Sequence, residues 1–228
     1  MPSTAFPVPS ARARPWSWPL KWTVPAAGSV NGKITFDATQ HLQRSGLLLQ
    51  NGTVFAGFGS HGDNQPCHGS LIGYNTSTLE RVSVFNSTPG GNEGAFWQSG
   101  RAPAADDDGS IYLVNGNGTA GLKSNCGNSI LRLDRKGSSI ADFFTPYDVA
   151  DLNDSDSDLM AGPLLIPGTK FVLASGKAGV IYVLDRTNVD TVRRTTPRFP
   201  SALTPEVRSY SMWHSGTAGT ARFSIRTR

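Results

Sequence analysis

The sequence predicts an all-β chain, an incomplete β-propeller of about three to four four-stranded blades. Three observations carry that expectation. Short runs of β-branched and aromatic residues are bounded by Gly and Pro, as in Met160–Asp185, which leaves no room for a helix. Leu71-Ile72-Gly73-Tyr74-Asn75, Ile130-Leu131-Arg132-Leu133-Asp134 and Ile181-Tyr182-Val183-Leu184-Asp185 share one pattern, an apolar strand closing on Asn or Asp. Each is preceded, in the same order, by an opening of small or apolar residues and a second strand. The spacing, somewhat above the ~40–50 residues of propeller repeats, fits blades with long loops. A sandwich of generic hairpins is the competing arrangement.

Taken in order, residues 1–28 are rich in Pro, Ala, Arg and Trp without a period and read as a poorly ordered lead-in. The blades occupy 29–188. A short strand at Ile34–Phe36 belongs to a partial first unit. Residues 46–85 form the first clear blade, with strands at Ser45–Leu49, Thr53–Phe58 and Leu71–Asn75. Residues 96–144 form the second, with an opening at Ala102–Ala105 and strands at Ser110–Val114 and Ile130–Asp134. Its first hairpin turns at Asp108-Gly109, since Asp-Gly suits the positive φ of tight turns. Residues 145–157 read as an Asp-rich loop. Residues 160–188 form the third blade, with strands at Pro163–Ile166, Lys170–Ala174 and Val180–Leu184. Residues 189–228 read as an irregular basic tail.

The chain of 228 residues is short for a closed propeller with such loops. Closure is what protects sheet edges. The expectation is a fragment of a longer propeller, or a chain whose ring is closed by further blades or a protein partner. The net charge of +4 is uneven, with eight arginines between Arg186 and Arg228. No recognition helix and no interleaving of aromatic with basic residues accompanies them, so nucleic-acid binding is not expected. No run of about 18 apolar residues predicts a membrane span. No apolar core of a signal peptide is visible near the start. Cys67 and Cys126 hold equivalent places before the third strands of successive blades. A disulfide between blades and two separate thiols both remain open.

The residues suited to chemistry lie in loops. Asp154-x-Asp156-x-Asp158 has the start of a calcium loop, but Leu159 and Leu165 stand where an EF-hand needs glycine and glutamate. His61, Asp63 and His68 could ligate a transition metal; a hydrogen-bonded loop is the plainer reading. Gly-x-Ser-x-Gly is absent, so a serine hydrolase has no support. Five Asn-x-Ser/Thr sequons decide nothing.

Lys177-Ala178-Gly179-Val180-Ile181-Tyr182-Val183-Leu184-Asp185-Arg186 resembles the K-x-G-x-x-Y-V-L-D-R strand of the pyrroloquinoline quinone (PQQ) dehydrogenases. Trp97, followed by Tyr112 and Gly116-Asn117-Gly118, resembles the family's Trp and Y-x-x-x-G-N-G. Thr145-Pro146-Tyr147-Asp148 resembles T-P-H-D, and Asp156-Ser157-Asp158 resembles W-D-x-D. Ser60–Asn64 and Trp97–Gly100 are also similar to loops of bacterial PQQ-repeat propeller proteins. The resemblance spans roughly residues 30–188, most specifically 96–186.

It implies a quinoprotein alcohol dehydrogenase-like propeller outside the cytoplasm, periplasmic or extracellular, with PQQ and Ca²⁺ as cofactors. Trp97 would stack on the quinone, and Lys177 would face its oxygens. Asn117 would ligate calcium, with Asp63 as the nearest substitute for a missing glutamate. Asp156 would be the catalytic base. The chain departs from the pattern at Ser155 and Tyr147 and lacks the vicinal cysteine pair. These departures lead to the first reading, a non-catalytic extracytoplasmic binding or assembly scaffold. The alternative is a PQQ- and calcium-dependent dehydrogenase oxidising a small alcohol or sugar.

Overall fold

Among the described residues, four antiparallel sheets follow one another in sequence order. The computed structural model describes residues 21–23, 33–121 and 124–189. The expected basic tail beyond its first residue, and most of the expected lead-in, lie outside the described residues; that first residue, Val189, is buried in a core rather than irregular tail. β1 (Lys21–Thr23) pairs with β2 (Lys33–Thr35) in a two-stranded sheet, so three residues assigned to the lead-in are strand. β3 (Leu48–Gln50), β4 (Thr53–Phe58), β5 (Ser70–Asn75) and β6 (Arg81–Asn86) form the first blade in sequential order. β7 (Ala104–Ala105), β8 (Ile111–Val114), β9 (Ile130–Leu133) and β10 (Ile140–Phe144) form the second. α1 (Val149–Asp154) then precedes the third blade, β11 (Ala161–Leu165), β12 (Phe171–Ser175) and β13 (Ile181–Asp185). The helix corrects the expectation of a plain loop at 145–157. The blades are four-, four- and three-stranded, and the described residues form no closed ring.

The repeat has a physical cause at both ends. The Asn or Asp that closes each third strand builds the next turn with its side chain. Asn75 Oδ1 accepts the Ser77 N–H at 2.8 Å, Asp134 Oδ1 accepts that of Ser138 at 2.9 Å, and Asp185 Oδ1 accepts that of Thr187 at 3.0 Å. Short polar side chains favour such turns because they supply the acceptor locally. The small residues that open each blade answer to crowding between neighbouring blades. A Cβ on Gly46 would lie 2.9 Å from Ala102 N, and one on Gly162 would lie 2.6 Å from Arg101 Cβ. The Gly46 N–H also donates to Arg101 O at 3.1 Å.

The second blade is buried on both faces. Ile111 and Leu113 of β8, with Leu131 and Leu133 of β9, pack against Phe55, Leu71 and Phe85 of the first blade and Phe96. The intervening Tyr112, Val114 and Ile130 pack against Val172, Ala174, Tyr182 and Leu184 of the third. Side chains alternate across a strand, so one four-residue run serves two cores. The two cysteines are both buried and form no disulfide.

Leu131 is fully buried between the first and second blades, whereas Leu49 is 68% exposed. Leu131→Ala is therefore expected to cost about 2–5 kcal/mol in denaturant unfolding, and Leu49→Ala less than about 0.5 kcal/mol. Equal costs would contradict this packing.

Candidate functional site

The loop after the second strand of each blade points its chemistry to a common region. These loops hold Asp63 after β4, Asn117 after β8 and Lys177 after β12. The segments that enter the second and third blades supply Trp97 and the pair Asp156 and Asp158. Propeller geometry thus joins residues far apart in sequence.

Lys177 ties the pair together. Its Nζ lies 2.9 Å from Asp156 Oδ2 and 2.6 Å from Asp158 Oδ2. The two carboxylates differ in setting, with side-chain exposure of 70% for Asp156 and 6% for Asp158. Asp158 is also held by the Asn117 backbone N–H at 2.7 Å, and its carbonyl accepts the Lys177 N–H at 2.9 Å. Glycine permits this closeness, since a Cβ on Gly176 would lie 2.3 Å from Asp158 O. Asp156 has a positive φ of 52° just beyond α1, a conformation that Asp tolerates better than most residues.

An amide relay fixes the other side. Asn117 Nδ2 donates to Asp156 Oδ1 at 3.0 Å. Asn117 Oδ1 accepts from Asn128 Nδ2 at 2.7 Å, which also donates to Asn153 Oδ1 at 2.8 Å. Asn128 is fully buried, and its Oδ1 accepts the Leu159 N–H at 2.8 Å. Asn153 Nδ2 donates to Gly118 O at 3.1 Å. Satisfied amide networks of this kind hold side chains in single orientations.

Trp97 stands on the same framework. The adjacent Gln98 is buried, and its Oε1 accepts the Val114 N–H at 3.1 Å, pinning the Trp97 turn to β8. A Cβ on Gly116 would lie 2.9 Å from Trp97 Cδ1 and 2.3 Å from Asp158 Oδ1. Gly116 therefore lets the indole edge and the buried carboxylate share one piece of backbone. A Cβ on Gly59 would lie 3.1 Å from Trp97 Cζ3, so the first blade backs the ring. The Arg44 guanidinium stands 6.0 Å from the indole centroid, at the limit of a cation–π contact.

The structure thus joins Asp156, Lys177 and Asn117 by direct bonds and sets Trp97 beside them. Asp63 stands slightly apart, with a long 3.4 Å bond from Ser60 Oγ, yet feels the charges of the cluster. His61, Asp63 and His68 are not drawn together. His68 is buried, its Nδ1 3.1 Å from both Thr88 O and Thr88 Oγ1. Among the described residues, no three His, Cys, Asp or Glu side chains are grouped to hold a metal ion. The sequence motifs assign no role to Asp158, Asn128, Asn153 or Arg44. Asp158 had a signal in its Asp-x-Asp spacing; the others had none.

The charges follow from these contacts. The Lys177 bond holds the Asp156 carboxyl below the usual carboxylate range. This pairing stabilises the fold above that range and is lost as pH falls through the lowered value. Desolvation opposes charge on Lys177, but its bonds to Asp158 and Asp156 outweigh it and raise its pKa. Burial raises Asp63, and the negative charges of Asp158 and Asp156 raise it further, while Lys177 pulls it down. In a carbon-13 titration, Asp63 should therefore titrate lower in Asp156→Asn and higher in Lys177→Met. No movement in either variant would separate Asp63 from the cluster.

No protein-family model matches the sequence, and no curated protein matches it significantly. Solved structures do match. A quinohemoprotein alcohol dehydrogenase from Pseudomonas putida superposes with a TM-score of 0.53 at 18% identity, over 68% of this chain and 28% of the dehydrogenase. A europium-containing methanol dehydrogenase superposes with a TM-score of 0.51 at 16% identity, over 69% of this chain and 34% of that protein. The chain therefore matches about a third or less of the length of each. At such identities the likeness speaks for the backbone arrangement alone. Blade order, open sheets and this likeness together give the described residues the fold of the quinoprotein alcohol dehydrogenase-like β-propellers.

Proposed function

We propose that this chain carries the quinone- and cation-binding site of a dehydrogenase that oxidises a small alcohol or sugar outside the cytoplasm. The observation that supports it best is the meeting of Asp156, Lys177 and Asn117, from separate loops, in one bonded cluster. The resemblance of the motifs and the likeness to two dehydrogenases supply the rest.

The residues suit both cofactors in kind. An indole face beside a lysine and an arginine suits a flat, anionic quinone such as PQQ. The carboxylate oxygens of Asp156 and Asp158, with Asp63 close by, suit in kind a hard cation such as Ca²⁺ or a lanthanide, toward which Asn117 would have to turn the Oδ1 it now gives to Asn128. The Lys177 ammonium between the two carboxylates is a stand-in for that cation. A bound quinone would supply the two-electron acceptor. In this reading Trp97 offers the stacking face. Asp156 takes the substrate's hydroxyl proton on a carboxylate oxygen, with Asn117 fixing its orientation through Nδ2. Lys177 places positive charge toward oxygens that become negative. While Lys177 is bound to Asp156, that carboxylate is a weak base, so proton abstraction requires the lysine to turn away.

One observation favours a second reading, the non-catalytic extracytoplasmic scaffold. Both carboxylates are already satisfied by Lys177 and Asn117, as in a structural ion cluster. Among the described residues no helix is long and apolar enough to cross a membrane.

Mixing the chain with PQQ and millimolar Ca²⁺, or a lanthanide, should give the spectrum of a bound quinone. Trp97→Ala and Asn117→Ala should weaken that binding at least ~10-fold. Absence of any bound quinone with either metal would leave the scaffold.

A further inference from the structure

We infer that Lys177 is an intramolecular competitor of the cation at the Asp156–Asp158 pair, so that metal binding and release of the lysine are one event. The inference rests on the reading of this cluster as a cation site, and goes beyond it by giving Lys177 two alternative positions.

The geometry makes the two occupants exclusive. The ammonium is within 2.9 Å of one carboxylate and 2.6 Å of the other, so its nitrogen takes the space between them. A divalent ion bridging the same oxygens needs contacts of about 2.3–2.6 Å and cannot share that space with a like charge. The surroundings favour such exchange. Lys177 is 39% exposed and sits after a glycine, with a second glycine, Gly179, in the same turn at a φ of 71°. The acidic side, by contrast, is fixed. Asp158 is buried and held by the Asn117 N–H, and Asp156 is held by Asn117 Nδ2. The donors stay in place while the lysine can leave. With Asp63 nearby, negative charge still exceeds the single positive charge of Lys177, which draws a cation of higher charge.

The test reads cation binding without any quinone, so its failure is separate from failure of the quinone reading. Calorimetry with Ca²⁺ alone compares the native chain with Lys177→Met and Lys177→Arg. A unit charge within contact distance typically shifts such equilibria by one to three powers of ten. Lys177→Met should therefore bind Ca²⁺ at least ~10-fold more tightly than the native chain, and Lys177→Arg should not. Equal affinity in the methionine variant and the native chain, or no binding in either, overturns the inference. Should the methionine variant not fold, the native chain decides by itself. Saturating Ca²⁺ should raise the rate at which an amine-acetylating reagent modifies Lys177 relative to Lys136. An unchanged ratio overturns the inference equally.

Discussion

The structure depends on one constraint, the burial of the second blade on both faces. A sheet with one wet face needs apolar residues at every other position. Here Ile111-Tyr112-Leu113-Val114 is buried throughout. Two residues serve the core shared with the first blade and two the core shared with the third. At about 25 cal/mol per Å² of apolar surface, such double burial outweighs any ion pair at the surface. Tyr112 is tolerated there because its hydroxyl donates to Asp106 Oδ2 at 2.8 Å. That bond leaves the Tyr112 hydroxyl satisfied on the face toward the third blade.

That burial dictates where the candidate site lies. Once neighbouring blades are locked face to face, the loops after β4, β8 and β12 must emerge side by side. Their residues need no local motif in common. One loop is Asn-Gly-Asn-Gly and another is Ser-Gly-Lys, yet both reach Asp158, through the Asn117 N–H and Lys177 Nζ. Glycine is what the loops share, and its reason is contact. Gly116 and Gly176 lie against Asp158 so closely that a Cβ on either would strike its oxygens.

Much of the fold was legible because the repeat signals are turn chemistry. Asn75, Asp134 and Asp185 capture backbone N–H groups two to four residues on, which any sequence reading can see. β7 was harder to place, since Ala104 and Ala105 carry little strand preference and are strand through pairing with β8. α1 was missed because Val149–Asp154 is too short for a helical period and too acidic to resemble a packed element. In the site, Asp156, Lys177 and Asn117 could be picked out by motif. The buried Asn128 could not: its role comes from lying under Asn117 and Asn153 at once, a relation set by the packing of the second blade on the third.

Of the two carboxylates, Asp158 is the structural one. It is buried and bonded to fixed backbone, so leaving it unpaired would incur most of the desolvation cost of a buried charge. Asp156 is exposed and could lose its partner at little cost. A lysine shared between them is therefore held chiefly by Asp158. A movement that swings Lys177 off Asp156 while keeping Asp158 costs little and frees the solvent-facing carboxylate. Loss of both contacts requires another positive charge to arrive at Asp158. The asymmetry in burial thus sets an order: Asp156 is released first, and Asp158 only in exchange.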